Sequence, residues 1–239
     1  MAVRDMAARI YEAIAVRVRA RFRRALAATG IVSRREMTYR IVYADRLWGR
    51  HETERFYSGP GSLPENLGPY LEAVGAYLRE HDIQSVVDLG CGDFRASRAL
   101  DLGEATYLGV DVVAPLIRYN QTEFGSDRIR FERLDLLEAD TLPDADLCIV
   151  KHVLQHWSNE DILRFLPKLD RYRHVLVLNG RFALDEEAPE RNEDIRTGAD
   201  FRTTGLHLDR PPFDLSLEPI LTYRLADDSE EMRLIRLAR

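Results

Sequence analysis

The sequence has few of the features that mark several classes of protein. Only two cysteines, Cys91 and Cys148, occur in 239 residues, so neither a disulfide framework nor a zinc site is expected. No segment approaches the roughly 20 uncharged apolar residues of a membrane-spanning helix. The formal net charge is −6, which provides no global field for nucleic acid. Arginines interrupt the apolar N-terminus, unlike a secretory signal. We expect a cytoplasmic protein without nucleic acid or metal.

What the sequence does contain is an alternation of short apolar runs and helical patterns. Hydrophobic residues make up 45% and charged residues 31% of the chain, a balance typical of a globular domain. Strands are predicted at 85–90, 106–111, 129–134, 146–151 and 174–179. Helices are predicted near 95–101, 113–123 and 159–170. This alternation indicates βαβ units in an α/β fold, with a mostly parallel sheet and helices on both faces.

The two ends of the chain extend this organisation. The final stretch PILTYRLADDSEEMRLIRLA predicts two strands around an acidic turn, which suits a closing antiparallel hairpin. Residues 3–28 predict one helix, and residues 31–66 predict a connector that contains the turn cluster SGPGS at 58–62. After that cluster, ENLGPYLEAVGAYLREH predicts a helix that leads into the first strand. We therefore divide the chain into an N-terminal helical extension and connector, 1–66, and a main domain, 67–239.

The predicted N-terminal helix has two interpretations. Its second half carries five arginines. The favoured interpretation is a solvated helix that packs on the main domain. The alternative is a basic amphipathic helix that makes peripheral contact with an anionic membrane surface.

The most informative stretch is SVVDLGCGDFR at 85–95. A buried strand runs into a turn in which Gly90 and Gly92 let the backbone pass close to a ligand. The turn follows the first strand, and open α/β sheets bind ligands at the carboxyl ends of their strands. The pyrophosphate of a dinucleotide would favour a third glycine, whereas this turn continues with the carboxylate of Asp93. The turn is therefore expected to hold a ligand with positive charge, such as an amino group or a sulfonium.

Two further acids follow successive strands. Asp111 ends the second strand, 23 residues after Asp88 (111 − 88), where a carboxylate can accept hydrogen bonds from both hydroxyls of a ribose. Asp135 follows the third strand, where it can accept from an adenine amino group while Val112 and Leu136 enclose the ring. The alternative for any one of these acids is capping of the following helix. The three acids together with the glycine turn favour a nucleoside ligand.

With these motifs the sequence resembles the class I S-adenosylmethionine-dependent methyltransferases. The resemblance covers residues 67–180 through VVDLGCGD, YLGVD, RLDLLE and CIVKHVLQHW. It implies a seven-stranded Rossmann-like sheet with a reversed hairpin and S-adenosylmethionine as the cofactor. A narrower resemblance, to a bacterial subgroup with SGPGS, CGDF and DIRTG, implies modification of glycans or small molecules. Phe94 departs from the family, which has a third glycine in the turn.

The resemblance also implies the contacts with the cofactor. The glycines would approach it, and Asp88 would order the loop or reach the methionine amino group. The cofactor-binding residues implied are Asp88, Gly90, Cys91, Gly92, Asp93, Asp111, Val112, Asp135, Leu136 and Lys151.

The fourth strand ends in Lys151-His152-Val153-Leu154-Gln155-His156-Trp157, the position at which such folds transfer a methyl group. It lacks the Asn/Asp-Pro-Pro-aromatic signature of enzymes that methylate base or amide nitrogens. A hydroxyl acceptor must lose a proton, which histidine can take near neutral pH. His156 is the preferred catalytic base and His152 the second choice, while Lys151 orients the acceptor or pairs with an acid. Alternatively, His156 packs beneath the cofactor. A histidine pair can recruit a metal, but no third ligand is identifiable.

The irregular segment 180–216 is a candidate lid over the acceptor, because a loop of that length in a compact domain is functional or disordered. Its arginines and aromatic residue suit a polar, sugar-like or anionic acceptor; the alternative is a solvated loop. The predicted substrate-binding residues are Tyr57, Ser58, Trp157, Arg196, Arg202 and Phe213.

The function predicted from the sequence is O-methylation of a hydroxyl by an S-adenosylmethionine-dependent methyltransferase. The acceptor would be a sugar of a polysaccharide or glycolipid, or a natural product. One alternative is N-methylation of a small amine. The other is a non-catalytic protein that keeps the cofactor fold, which the intact set of three acids argues against.

Overall fold

A single mixed sheet dominates the part of the chain that the structure describes. The computed structural model describes residues 32–49, 55–181, 189–198, 200, 202, 204–227 and 230–237; the helix predicted at 3–28 lies outside them. Within these residues the strands are β1 (Ser85–Leu89), β2 (Thr106–Asp111), β3 (Ile129–Arg133), β4 (Leu147–Lys151), β5 (His174–Arg181), β6 (Leu217–Arg224) and β7 (Glu231–Leu237). Their order is β3-β2-β1-β4-β5-β7-β6. Strands β1 to β5 are parallel, and β7 is antiparallel to β5 and β6. The predicted seven-stranded sheet with its closing hairpin is confirmed.

Helices cover both faces of this sheet, as predicted. They are α1 (Arg34–Ala44), α2 (Pro64–Glu80), α3 (Arg95–Arg98), α4 (Ala114–Phe124) and α5 (Asn159–Phe165), with 3-10 turns at Pro60–Ser62, Leu154–His156 and Leu166–Arg171. Adjacent residues of β1 face opposite sides: Val86 packs in the cluster that contains residues of α2, and Val87 in the cluster that contains residues of α5. Burial on both faces explains why the central strands β4 and β5 have nearly continuous apolar runs in sequence.

Helix α1 lies inside the segment predicted to be a connector. Its N-cap is Ser33, whose hydroxyl accepts a hydrogen bond from the backbone N–H of Glu36 at 3.0 Å. The buried Glu36 carboxylate accepts from Arg40 at 2.6 Å, from Arg133 at 2.8 Å and from the N–H of Ala114 at 3.2 Å. Glu36 therefore joins α1 to the end of β3 and the start of α4, so that α1 lies over the carboxyl edge of the sheet.

Two features of the wider organisation are the helices that could span a membrane and the division of the chain into two parts. None of the helices in the described ranges combines the length and apolar character that crossing a membrane requires. The division of the chain at residues 66 and 67 stays a prediction, and α2 spans those two residues.

Candidate functional site

A pocket lies at the carboxyl edge of the sheet, where β1, β2 and β4 end. Its volume is about 900 Å³ including the open space at its mouth, and this edge is where open α/β sheets bind ligands. The residues predicted from sequence that line it are Ser58, Asp88, Gly90, Cys91, Gly92, Asp93, Asp111, Val112, Asp135, Leu136, Lys151, His152, His156 and Trp157. The lining residues that the sequence analysis did not identify are Arg35, Tyr39, Tyr43, Trp48, Ser62, Ala96, Ser97, Leu134 and Val153.

The glycine turn requires its glycines. Gly90 has φ +84 and Gly92 has φ +55, values in the left-handed region that side chains disfavour. A Cβ atom at Gly90 would overlap a methyl group of Val153, and one at Gly92 would lie 2.5 Å from the hydroxyl of Ser58. The Asn120 side chain donates to the Gly92 carbonyl at 2.8 Å. The turn is thus held with its backbone against the pocket.

Phe94, which replaces the family's third glycine, adopts a conformation typical of glycine. Its φ is +62 and its ψ is 0, a left-handed conformation that costs a bulky residue about 1–3 kcal/mol. The ring is only 1% exposed. It packs at centroid distances of 5.0 Å from Tyr107, 4.8 Å from Phe131 and 5.5 Å from Phe124. Burial of the phenyl ring in this aromatic cluster offsets the strain, so the departure from the family leaves the turn intact.

Asp88 carries a carboxylate oxygen that is open to a ligand. One oxygen accepts from the hydroxyls of Ser97 at 2.5 Å and Tyr107 at 2.7 Å. The other, Oδ1, is buried without a hydrogen-bond partner in the described part of the chain. Burial raises the pKa of Asp88, and the two hydroxyls oppose that rise. A buried carboxylate oxygen that lacks a donor is costly, and a ligand amino group would satisfy it.

Asp111 binds the start of the following helix, and it also keeps the capacity to accept hydrogen bonds from a ribose, which is its predicted role. Its carboxylate accepts from the backbone N–H of Val113 at 2.9 Å and of Gly92 at 3.3 Å. These bonds connect the glycine turn to the start of α4. Burial raises the pKa of Asp111 to about 6. Since each carboxylate oxygen can accept more than one hydrogen bond, both retain capacity for the hydroxyls of a ribose.

Asp135 is held by helix α1. Arg35 donates to its Oδ1 at 2.6 Å and the backbone N–H of Leu137 does so at 3.2 Å, while the Ser33 hydroxyl lies 3.4 Å from Oδ2. The acid predicted to contact an adenine is therefore also an anchor for α1.

Asp93 fastens the SGPGS turn to the glycine turn. Its carboxylate accepts from the backbone N–H of Ser58 at 3.0 Å and of Arg95 at 3.2 Å, and its own N–H donates to the Ser58 hydroxyl at 3.0 Å. The Ser58 hydroxyl also lies 3.0 Å from that of Tyr43. Asp93 still adds negative charge to the pocket wall, with a pKa that burial raises.

An aromatic wall formed by Tyr39, Tyr43 and Trp48 closes the side of the pocket nearest α1. Trp48 lies 5.3 Å from Tyr43, 6.1 Å from Tyr39 and 5.0 Å from the His156 ring, measured between ring centroids. The four-residue spacing of Tyr39 and Tyr43 places both rings on one face of α1. That spacing and the Ser33-x-x-Glu36 capping pattern were the available sequence signals for this wall.

Lys151, at the end of β4, and His152 and His156, in the turn after it, all line the pocket but lie in different environments. Burial lowers the pKa of His156 to about 4 and that of His152 well below its ordinary value, so both rings are neutral at pH 7. His152 has φ +56 and packs against Gly61, with its Nε2 3.1 Å from the Met232 sulfur. Lys151 Nζ donates to the Gly61 carbonyl at 3.0 Å, and burial lowers its pKa to about 8.

Only some of the predicted substrate-binding residues lie at the pocket. Ser58 and Trp157 line the pocket, but four others are not among its lining residues. The Arg196 side chain is 91% exposed and pairs with Asp200. Phe213 is buried in the core, and Tyr57 packs beneath the Arg95 guanidinium at 5.7 Å. An acceptor role for these three residues has no support from their positions.

Arg202 is also turned away from the pocket, into the framework behind it. Only 2% of it is exposed. Its guanidinium donates to the carbonyls of Glu193, Leu154, Gln155 and Trp157 and to the side chain of Asn159, at 2.6–3.4 Å. A planar fork with five N–H donors matches this cluster of acceptors, so Arg202 holds the 3-10 turn that carries His156.

This framework role predicts the behaviour of Arg202→Lys. A lysine ammonium cannot reach several of these carbonyls at once, and we expect a loss of about 2–4 kcal/mol in the free energy of unfolding. The dissociation constant for S-adenosylmethionine should change little. Urea unfolding and calorimetry measure the two quantities. A large loss of affinity with unchanged stability would instead indicate a ligand-binding role.

Comparison with known proteins shows a similarity to methyltransferases. Residues 86–174 match the family model described as a methyltransferase domain. No curated protein sequence matched the chain. Solved structures with a similar fold include N-methyltransferase NodS from Bradyrhizobium japonicum WM9 in complex with S-adenosylhomocysteine, at 13% identity and TM-score 0.55, covering 83% of this chain and 99% of that one.

Two further structures have similar folds. Magnesium protoporphyrin IX methyltransferase from Synechocystis PCC 6803, with bound S-adenosylhomocysteine, has 14% identity and TM-score 0.53, and covers 84% of this chain and 95% of its own. The N-terminal domain of EvdMO1, crystallised in the presence of S-adenosylhomocysteine and D-fucose, has 14% identity and TM-score 0.50. The match covers 87% of this chain and 98% of that domain. Residues 86–174 therefore resemble a methyltransferase domain, and the chain has the fold of these methyltransferases, as its motifs predicted.

Proposed function

We propose that the protein binds S-adenosylmethionine in this pocket and methylates a hydroxyl of a small polar acceptor. The acceptor class is a sugar, within a polysaccharide or glycolipid, or a natural product. The supporting observation is that the glycine turn, the strand-end acids and the basic side chains of Lys151, His152 and His156 line the same pocket. A cytoplasmic location belongs to this proposal as well, and peripheral membrane contact through the helix predicted at 3–28 stays the alternative to packing on the main domain.

The described residues fit the cofactor in three respects. The glycine turn leaves no room for a Cβ atom where the backbone meets the pocket. Asp88 Oδ1 is a buried acceptor without a donor, which suits the methionine amino group. Asp111 keeps acceptor capacity for the ribose hydroxyls, and Val112 and Leu136 line the pocket for the adenine. When bound, S-adenosylmethionine supplies a methyl group on a sulfonium that is already electrophilic, so the chain chiefly has to align the acceptor.

The acceptor hydroxyl needs a base. His156, the base preferred from sequence, is neutral at pH 7 but holds a proton weakly, because burial lowers its pKa to about 4. General bases are most effective when their pKa lies near the working pH. We therefore assign His156 chiefly to the pocket wall, where it packs against Trp48.

N-methylation is the second candidate, and the aromatic wall is the observation that favours it. Tyr39, Tyr43 and Trp48 lie around a pocket that contains four aspartates. Aromatic faces together with carboxylates attract an organic cation. A small amine acceptor in its protonated form is such a cation.

An acceptor screen tests the proposed function. The full chain is incubated with S-adenosylmethionine that carries a deuterated methyl group and with sugars, phenols and small amines, and products are detected by mass spectrometry. We expect a deuteromethyl ether on a hydroxyl acceptor, and no product with Asp111→Ala. Methylated amines alone would favour the second candidate. Cofactor binding without turnover across the whole panel would favour the non-catalytic alternative.

A further inference from the structure

The chain has very few lysines, and one of them lies in the pocket. Lysine and arginine total 34 residues, of which only Lys151 and Lys168 are lysine. Lys168 Nζ donates to three backbone carbonyls at 2.7–3.0 Å and fixes the loop after β3. Lys151 Nζ donates to a single carbonyl, that of Gly61, among the described residues. Arginine stays protonated in proteins, whereas a buried lysine can lose its proton. Lys151, which lines the pocket at the end of β4, can therefore act as a base when its amine is neutral.

The strand register brings the carboxyl of Glu230 to the same face of the sheet as Lys151. Lys151 pairs with Leu178 across β4 and β5, and Gly180, two residues further along β5, points to that same face. A Cβ atom at Gly180 would overlap the carboxyl of Glu230. The Glu230 side chain therefore lies over Gly180, on the face toward which Lys151 projects. The absence of a side chain at Gly180 makes room for it.

Glu230 is a buried acid with an unmet hydrogen-bonding need. It is 5% exposed, and its Oε1 has no hydrogen-bond partner within the described residues. Burial raises its pKa to about 7, Lys151 opposes that rise, and Asp227 adds to it. Tyr223 on β6 is the other titratable group that faces it. By about pH 8 the carboxyl is ionised, and Lys151 is its principal opposite charge.

Lys151 is surrounded by groups that act on its charge in both directions. Burial lowers its pKa, and the carboxylates of Asp88, Asp93 and Glu230 raise it, in that order of size. His152 is its neighbour in the chain, and the Tyr70 ring of α2 lies 5.9 Å from Nζ. Of the three carboxylates, Asp88 and Asp93 line the pocket, whereas Glu230 does not. Glu230 therefore acts on Lys151 through its charge, and it does so without contact with a ligand in the pocket.

We propose that the Lys151 amine takes the proton from the acceptor hydroxyl, and that Glu230 is a positioning residue that, together with Asp88 and Asp93, determines the charge on that amine. This inference rests on the proposed methyl transfer. The Nζ lone pair binds the hydroxyl proton, and the electrons of the O–H bond stay on the oxygen, which forms the new C–O bond. The electrons of the broken C–S bond go to sulfur, so the sulfonium becomes a neutral sulfide. The Lys151 ammonium returns its proton to solvent. Its hydrogen bond to the Gly61 carbonyl orients the amine throughout.

Selective labelling makes the charge of Lys151 directly measurable without an acceptor. Lysine labelled with ¹³C at Cε gives two side-chain signals in the full chain, and Lys168→Arg assigns them. We expect the Lys151 signal to titrate with a midpoint near 8. In Glu230→Gln the midpoint should fall by roughly one pH unit, since an opposing charge is lost. Asp127→Asn, which neutralises an exposed acid before β3, is the control and should leave the midpoint in place. An unchanged midpoint in Glu230→Gln would overturn the role of Glu230.

A comparison of two ligands with the wild-type chain tests whether Lys151 faces the reacting centre. S-adenosylmethionine carries a positive sulfonium, and S-adenosylhomocysteine carries a neutral sulfide in its place. If Lys151 lies beside that sulfur, its midpoint should be lower with the first ligand than with the second. Equal midpoints, with both ligands shown by calorimetry to bind, would overturn the base assignment alone. If neither ligand binds, the proposed function itself fails.

Discussion

Replacement of Asp111 by alanine is expected to raise the dissociation constant for S-adenosylmethionine by about 30-fold or more. The carboxylate would accept hydrogen bonds from both ribose hydroxyls, and hydrogen bonds to charged groups contribute about 1.5–3 kcal/mol each. A net loss of about 2 kcal/mol corresponds to that factor. Isothermal calorimetry on the full chain measures it directly.

Controls separate this loss from damage to the fold. The Asp111 carboxylate also accepts from the backbone of Val113 and Gly92, so thermal unfolding must show that the variant is folded. Asp111→Asn preserves the shape of the side chain and should still bind weakly. Asp127→Ala removes an exposed acid before β3 and should bind as the wild type does. An Asp111→Ala chain that is folded and retains wild-type affinity would remove the ribose contact from the account.

The same carboxylate gives the affinity a defined pH dependence. Its pKa is raised to about 6 by burial, and the ionised form is the one that accepts from both hydroxyls. As the pH falls through 6 the acid is protonated, and we expect affinity to decrease by about tenfold between pH 7 and pH 5. Calorimetry at several pH values measures the slope. In Asp111→Asn this slope should be smaller, with the remainder due to Asp88 and Asp93, whose pKa values burial also raises.

The second large effect is expected at Gly90. Gly90→Ala places a methyl group against Val153 and forces alanine to adopt φ +84. Left-handed backbone costs about 1–2 kcal/mol, and overpacking costs about 1–3 kcal/mol more. We expect a loss of about 2–4 kcal/mol in the free energy of unfolding, measured by urea denaturation, together with weaker cofactor binding.

Gly103 provides the matched control for this substitution. It also has positive φ, at +54, but a Cβ atom there would meet nothing within 4 Å. Gly103→Ala should therefore show the backbone cost alone, about 1 kcal/mol, with unchanged affinity. Equal losses at Gly90 and Gly103 would contradict the close approach of Gly90 to Val153.

The sheet could be predicted from sequence because each strand is a separate local signal. Predicted bounds at 85–90 and 106–111 compare with Ser85–Leu89 and Thr106–Asp111 in the structure. Both runs are rich in valine, leucine and tyrosine, and most of their residues are buried or half-buried in the sheet. Helix α1 was missed because its tyrosines and arginines give no simple apolar stripe, although the pattern Ser33-x-x-Glu36 marks its start.

The site was predictable where it depends on strand ends and not where it depends on distant segments. Asp88, Asp111 and Asp135 lie near the ends of neighbouring parallel strands, whose carboxyl ends share one edge of the sheet. The ion pair of Asp135 with Arg35 joins residues 100 positions apart. Sequence spacing carries no information about such a contact. Arg202, expected in an acceptor site, instead binds backbone carbonyls because these face inward from the turn after β4.

The central claim is that this pocket holds a sulfonium nucleoside. The most direct measurement is calorimetric titration of the full chain with S-adenosylmethionine and, separately, with NAD. We predict saturable binding of S-adenosylmethionine at a single site and no binding of NAD. Binding of NAD in preference to S-adenosylmethionine, or of neither, would contradict the account.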